Sequence, residues 1–333
     1  MNTIKFAPYN AFVTEQHDVK RGFMKRLDMN GEQLKVYQPC NLDVFVVNRC
    51  HNRCFFCIHR HYTGDIIESD FLVGLEDAVT RLQQSGIDLE VTITGGEPTM
   101  RPSRFVNVIQ LLHRLGVRER TVSTTGLNLL ECHKGKPLIQ HLIDYGYTHN
   151  ISISRMSTNY AAHEIMMGKT DDEMPDIDNA QLHRLARYCN TYGVELRTST
   201  NLIKKFRQAE GVNDLKSILD FVAYHKSIGI KSCLFRELVG NYPSCKVEIK
   251  PIQEQIHADP RFEYLKDIDG QFYKIKLYVY TDPDGTQYAV KCYQDAVPAQ
   301  AGYSRLSYKS GILRAGFDGP ILYDFNKEHP YNE

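Results

Sequence analysis

The sequence predicts an α/β protein organised as a partial (β/α)6 barrel, with a short N-terminal extension before it and a hairpin-containing C-terminal module after it. Three observations carry that expectation. From Leu42 to about residue 240, β-branched apolar runs alternate with amphipathic helical segments. Glycines punctuate the helix ends at Gly86, Gly116, Gly146, Gly193 and Gly229. The rhythm then stops, and alternating strands flank the turn Asp282-Pro-Asp-Gly285. Strands separated by helices call for a parallel sheet with right-handed crossovers, and six such units curl without closing as eight do.

In chain order, residues 1–40 form the N-terminal extension, of mixed polarity, with the turn-like Met29-Asn-Gly-Glu32 marking a hairpin. The barrel spans 41–240. Its strands are expected at 42–48, 89–94, 120–125, 148–154, 194–200 and 230–237, and its helices at 69–85, 102–115, 136–145, 179–192 and 211–228. Ser69-Asp70 and Pro102 supply start signals. Residues 241–333 form the C-terminal module, in which 271–280 and 287–293 read as a hairpin and the Gly-, Pro- and Tyr-rich tail is expected to cover the barrel mouth.

With 333 residues and 42% hydrophobic content, the chain can bury a substantial core. Forty basic residues balance forty acidic ones, so bulk charge points to neither a nucleic-acid nor an anionic-membrane partner. The first residues, MNTIKFAPYNAFVTEQHD, lack a basic segment followed by an apolar one, and no window approaches the length of a membrane span, so a cytoplasmic location is expected. In that compartment nine cysteines read as thiols and metal ligands rather than disulfides. Cys40, Cys132, Cys189, Cys233, Cys245 and Cys292 are scattered singly and read first as small buried hydrophobes.

Cys50, Cys54 and Cys57 are different. Three thiols within eight residues converge only if their loop wraps a common centre, and soft thiolates select iron–sulfur chemistry. Three ligands to a 4Fe–4S cluster leave one iron open to an exogenous molecule. A second motif follows the strand Leu89-Glu-Val-Thr-Ile-Thr94, where the turn Gly95-Gly96-Glu97-Pro98 begins. Both motifs fall at C-terminal strand ends, where barrels of this type place their sites.

The spacing Cys-x3-Cys-x2-Cys with Phe56 before the last cysteine, followed by the Gly-Gly-Glu-Pro turn, resembles the radical S-adenosylmethionine (SAM) superfamily. The resemblance runs through residues 42–240 and is closest to the molybdenum-cofactor GTP cyclase and viperin-like branch. It implies a cluster on Cys50, Cys54 and Cys57, one-electron cleavage of SAM to a 5′-deoxyadenosyl radical, and a one-electron donor such as flavodoxin or ferredoxin. Gly95, Gly96 and Glu97 would hold the methionine ammonium, the glycines by close backbone approach and Glu97 by a charge-assisted hydrogen bond. Phe56 would lie against the adenine, or else pack as a core aromatic. Ser123-Thr-Thr-Gly-Leu127 is similar to the branch's third-strand motif, making Thr124 a SAM contact, and Asn150-Ile-Ser152 makes Ser152 a partner of the ribose, or else a strand-end cap. Gly168-Lys169 stands where the branch has Gly-Arg, so Lys169 would face the SAM carboxylate without the arginine's fork, or else be a solvated surface lysine.

Departures from the cyclase pattern bear on the substrate. Glu195 and Arg197 replace a lysine and an asparagine, no closely paired second set of cysteines exists, and the chain ends in Tyr331-Asn-Glu333 rather than Gly-Gly. One cluster is therefore expected, and GTP cyclisation is not. Arg197 is a candidate catalytic residue. With Arg155, Arg236 and Glu237 it would suit a small anionic or zwitterionic substrate. Cys292 is a candidate hydrogen-atom donor to a substrate radical, against the plain alternative of a packing cysteine. His59, Arg60 and His61 read as solvated loop residues or as substrate contacts. The first expectation is a biosynthetic radical SAM enzyme acting on a small polar metabolite, such as a nucleotide, sugar or amino-acid-derived intermediate. Maturation of a ribosomal peptide is a second, disfavoured by the lack of a peptide-recognition domain or cysteine-rich extension. A non-catalytic iron–sulfur or nucleotide-binding protein is a third, disfavoured by the intact glycine turn.

Overall fold

The computed structural model describes residues 24–57, 64, 66–145, 150–169, 174–238, 242, 244–269, 273–295, 302–317 and 319–328. The chain divides into two compact units, the first from Phe12–Cys50, His61–His149 and Pro298–Glu333, the second from Met1–Ala11, His51–Arg60 and Asn150–Val297.

In the first unit, β1 (Met24–Met29) and β2 (Glu32–Phe45) are joined by Asn30 and Gly31, whose φ angles of 50° and 76° match the twist of a tight hairpin. The early part of β2 pairs antiparallel with β1, whereas Cys40 to Phe45 pair parallel with β3 (Leu89–Thr94). The strand expected at 42–48 thus starts earlier, because one continuous strand serves both the hairpin and the parallel sheet. Between them, α1 (Glu68–Gln84) buries Phe71, Leu75, Ala78, Val79 and Leu82, a single helical stripe. After β3, α2 (Pro102–Arg114) opens with a proline where no hydrogen-bonding N–H is needed, and buries Phe105, Val108, Ile109 and Leu112. β4 (Arg118–Thr124) lies parallel to β3, and α3 (Leu138–Asp144) follows.

The second unit holds the parallel strands β5 (Asn150–Ser154), β6 (Glu195–Asn201) and β7 (Ser232–Arg236). α4 (Tyr160–Met167), α5 (Asn179–Tyr192) and α6 (Leu215–Ile228) connect them. Asp178 and Asp214 start α5 and α6 in capping boxes, and Gly193 and Gly229 end them in left-handed conformation. Beyond α7 (Ile249–Ala258), the strands β8 (Phe262–Asp269), β9 (Tyr273–Thr281) and β10 (Gln287–Asp295) extend the sheet, β10 parallel to β7 and the others antiparallel. One face of this sheet packs Cys233, Phe235, Tyr278, Val290 and Cys292 with Phe221, Val222, Ile252 and Ile256 of α6 and α7.

The chain then returns to the first unit. β11 (Tyr303–Lys309) lies parallel to β2, and β12 (Ile312–Ala315), β13 (Ile321–Asp324) and α8 (Phe325–Glu328) follow. Tyr308 anchors this return: its buried hydroxyl donates to the Phe71 carbonyl at 3.0 Å, and its ring meets the Phe71 ring edge-on at 5.2 Å. The segment expected as a single C-terminal module is thereby divided between the units. Among the described residues, no helix is long and apolar enough to cross a membrane.

Candidate functional site

The cysteines sort by accessibility. Cys50 at the edge of the first unit, and Cys54 and Cys57 in the second, are half-buried, whereas Cys40, Cys189, Cys233, Cys245 and Cys292 are buried and Cys132 is exposed. Burial pushes the Cys189 and Cys292 thiols up to about 12 and raises Cys233 and Cys245 as well, so these stay protonated and poorly suited to bind metal. Within the second unit, the loop holding Cys54 and Cys57 is fixed by its backbone. The Arg53 N–H donates to the Gly168 carbonyl at 2.8 Å, Asn52 and Lys169 form a β-bridge, and the Cys57 N–H donates to the Cys54 carbonyl at 3.1 Å. Gly168 ends α4 at φ 61°, and a Cβ there would stand 2.4 Å from the Arg53 carbonyl oxygen, so only glycine allows this approach. Next to it, the Lys169 ammonium, expected to face the SAM carboxylate, lies 3.3 Å from Glu164 Oε1.

The Phe56 ring meets Phe55 edge-on at 5.1 Å, and Phe55 stacks on Phe206 at 4.0 Å. Both pack against a cluster with Met156, Met166 and Met167, so the packing alternative for Phe56 is present in the structure. His59, Arg60 and His61 lie outside the described residues.

Sequence reasoning missed a buried polar centre beside this loop. Asp176 Oδ1 lies 2.7 Å from His51 Nε2 and accepts from Asn52 Nδ2 at 2.9 Å, while its Oδ2 accepts from Asn52 Nδ2 at 3.0 Å and stands 3.4 Å from His163 Nε2. Burial alone would raise the Asp176 carboxyl, but the hydrogen bonds of His163 and His51 outweigh it and hold the group well below the ordinary carboxylate range. His51 is part of the cysteine motif, yet nothing in the sequence links it to a residue so far along the chain. Arg155, expected near a substrate, belongs to the frame instead. It is fully buried and donates to the Ser157 and Ile177 carbonyls at 3.1 and 3.0 Å and to Asn179 Oδ1. Glu237 pairs with Lys246 at 3.1 Å.

The glycine turn lies in the first unit, and its glycines approach the chain's own backbone. A Cβ on Gly95 would stand 2.5 Å from the Val47 carbonyl oxygen, and one on Gly96 2.0 Å from that of Arg49. They make room for the chain's own backbone: Gly96 N–H donates to Val47 O at 2.8 Å and Glu97 N–H to Arg49 O at 2.9 Å. Glu97 is fully buried, and its carboxylate accepts from Thr99 Oγ1 (2.6 Å), Thr99 N (3.2 Å), Thr124 Oγ1 (2.5 Å) and Thr125 N (2.7 Å). Thr124 Oγ1 also accepts from the Gly126 N–H at 2.9 Å. Glu97 and Thr124 therefore tie the ends of β3 and β4 together.

The face of the second unit's sheet opposite its apolar cluster is polar. Parallel register places Ser152 beside Arg197 and Arg197 beside Ser232. The next row is Ser154, Ser199, Leu234 and Lys291, and the one after it Asn201, Arg236 and Tyr293. The Arg236 guanidinium lies over the Tyr293 ring at 4.7 Å. Lys291, 1% exposed, lies 3.7 Å from Glu195 Oε1, an ion pair too long for a hydrogen bond. Burial lowers the Lys291 ammonium to about 7, with Glu195 pulling it back up. Among the described residues, neither oxygen of Glu195, neither side-chain amide atom of Asn150, nor Ser232 Oγ has a hydrogen-bond partner. Cys292 holds the alternate position on β10, inside the apolar cluster. Arg197 and Cys292, the two residues expected to serve substrate chemistry, are thus on opposite faces, with the cysteine among apolar side chains.

The parallel α/β fold carries a three-thiol loop and a glycine turn after the second parallel strand, and residues 44–177 match the family model described as Radical SAM superfamily. Curated proteins are similar to part of the chain. The chain is 27% identical over 145 residues to GTP 3',8-cyclase of Thermodesulfovibrio yellowstonii, covering 42% of each protein. It is 25% identical over 186 residues to GTP 3',8-cyclase of Limosilactobacillus fermentum, covering 47% of this chain and 53% of that one. The chain thus spans about half the length of the curated relatives it matches. Among solved structures, Streptococcus suis SuiB bound to S-adenosylmethionine has the same fold, with a TM-score of 0.56 over 90% of this chain and 67% of that one, at 14% identity.

Proposed function

We propose that this protein reductively cleaves SAM and uses the resulting radical to take a hydrogen from a small polar metabolite carrying an anionic group. The observation that carries the substrate class is the polar face of β5, β6, β7 and β10, where Arg197 and Arg236 stand two rows apart with Ser152 beside Arg197 and Ser199 in the row between. Guanidinium groups there suit a carboxylate or phosphate, and the hydroxyls suit a sugar or ribose.

The donor set fits a 4Fe–4S cluster: Cys50, Cys54 and Cys57 are the half-buried thiols of the chain, and Met167 Sδ lies 3.8 Å from Cys54 Sγ, which keeps that surrounding soft and dry. Cluster and SAM together supply one-electron cleavage of a C–S bond to a 5′-deoxyadenosyl radical. The chain's own residues bind and orient. Lys169 exchanges Glu164 for the SAM carboxylate, Phe56 offers an aromatic face, and Ser152 a hydroxyl for the ribose. Glu97 and Thr124 support the site by fixing the turn that presents the Gly95 and Gly96 backbone. An electron carrier of the flavodoxin or ferredoxin type would reduce the centre.

Anaerobic reconstitution with iron and sulfide, followed by SAM and dithionite, tests this reading. About four irons per chain and release of 5′-deoxyadenosine are expected. Bound iron with no SAM cleavage, or cleavage that Cys54→Ala and Cys57→Ala together leave intact, would overturn it. Screening phosphorylated and carboxylated metabolites for faster 5′-deoxyadenosine release then tests the substrate class, which fails if only uncharged compounds respond.

A further inference from the structure

We propose that Asp176 is a positioning residue for the cysteine loop, a buried carboxylate that grips His51 and Asn52 and holds Cys54 and Cys57 in a ligand-ready conformation before any cluster arrives. This rests on the reading of those cysteines as cluster ligands.

The loop is held from two directions inside the second unit. On one side the hold is backbone: Arg53 N–H to the Gly168 carbonyl at 2.8 Å and the bridge between Asn52 and Lys169. On the other it is Asp176, whose two oxygens meet three side chains, at 2.7 Å for His51 Nε2, 2.9 and 3.0 Å for Asn52 Nδ2, and 3.4 Å for His163 Nε2. The His163 tautomer follows from its other nitrogen. Nδ1 accepts from the Met156 N–H at 3.1 Å, so the ring proton sits on Nε2 and points at Asp176. Burial lowers the His163 pKa, in keeping with a neutral ring that donates one hydrogen bond.

Asp176 is itself immobilised. The Tyr160 hydroxyl donates to its carbonyl at 2.8 Å, and Arg155 donates to the next carbonyl, of Ile177, at 3.0 Å. The carboxylate is therefore a fixed point to which a loop without regular structure is tied. Only a carboxylate serves, because an asparagine would present one acceptor oxygen to three donors. An apolar residue would avoid the desolvation cost of a buried charge but would leave His51 and Asn52 without their acceptor.

The test uses the full chain, with and without reconstituted cluster, as wild type, Asp176→Ala and Asp176→Asn. Amide hydrogen exchange at Arg53 and Cys57 is measured on the metal-free protein, and iron loss to a chelator on the loaded one. Asp176→Ala should speed both at least tenfold while amides of β6 and β7 exchange as before, and Asp176→Asn should fall between. Loop amides that exchange as in the wild type would overturn the proposal. So would acceleration shared equally by β6 and β7, since that marks a residue that only stabilises the fold. If the alanine variant does not fold, the asparagine variant decides by the same two readings. A wild-type chain that takes up no iron would overturn the cluster reading instead, and the amide comparison would still judge the clamp.

Discussion

Two buried glutamates, one in each unit, stand in opposite circumstances. Glu97 in the first unit is surrounded by donors from Thr99, Thr124 and Thr125. Glu195 in the second has, among the described residues, no hydrogen bond to either oxygen and one buried ammonium 3.7 Å away. A carboxylate whose lone pairs are filled by its own chain is architecture: it has little capacity left for a ligand. A carboxylate buried with its lone pairs unfilled, beside an unpaired Asn150 and Ser232, is a polar demand that the fold leaves unmet, as binding surfaces do. The motif match directs attention to Glu97, while one group of unmet polar atoms lies around Glu195.

The comparison is broken most directly at Glu97. Glu97→Ala should cost about 3–5 kcal/mol in chemical denaturation, because several buried donors lose their acceptor together. A variant of wild-type stability that merely binds SAM less well would return Glu97 to the role of a ligand. At the other glutamate, Lys291→Ala should cost about 3 kcal/mol by leaving the Glu195 charge buried alone, whereas Glu195→Leu combined with Lys291→Met should recover most of it. Equal losses in the single and double variants would show that the pair is not the unit of stability.

The pH dependence sharpens the same contrast. The Lys291 ammonium titrates near 7 in the folded protein against 10.5 ordinarily, so between those values the unfolded chain binds more protons. Its contribution to stability should therefore grow as pH rises from about 7 toward 10, and denaturation of wild type and Lys291→Met across that range would reveal the difference. Parallel curves would remove the buried lysine from the account. The smallest effect is expected at Cys292→Ser, about 1–2 kcal/mol for a hydroxyl in an apolar cluster, with turnover by the folded variant unchanged. Loss of product with 5′-deoxyadenosine release retained would restore the thiol as a hydrogen donor.

Much of the scaffold was legible because periodic burial writes itself into sequence. The strand at 89–94 and the helix at 179–192 have the expected bounds, and the other parallel strands and helices between them differ mainly at their ends. Short or weakly patterned elements escaped: α4 has eight residues, and β11 pairs within a segment whose composition reads as tail. At the site, residue types could be read but their partners could not. Gly95 and Gly96 are required, yet by the carbonyls of Val47 and Arg49, and Cys292 falls on the helix-covered face by one step of strand alternation. The grip of Asp176 on His51 joins distant positions through side chains alone, and no periodicity records such a contact.

The return of β11 to β2 also sets a timetable for synthesis. Val36 is paired with Lys25 on β1 and with Tyr303 on β11, so these two strands flank β2 on opposite edges. β1 emerges from the ribosome just ahead of its partner, whereas β11 emerges long after both. Throughout translation, the stretch Asn41 to Val44 keeps one row of backbone hydrogen-bonding groups uncovered, and Phe71 waits for the tyrosine that will cap it. A nascent chain halted before Tyr303 therefore carries an open strand edge ready to pair with another chain.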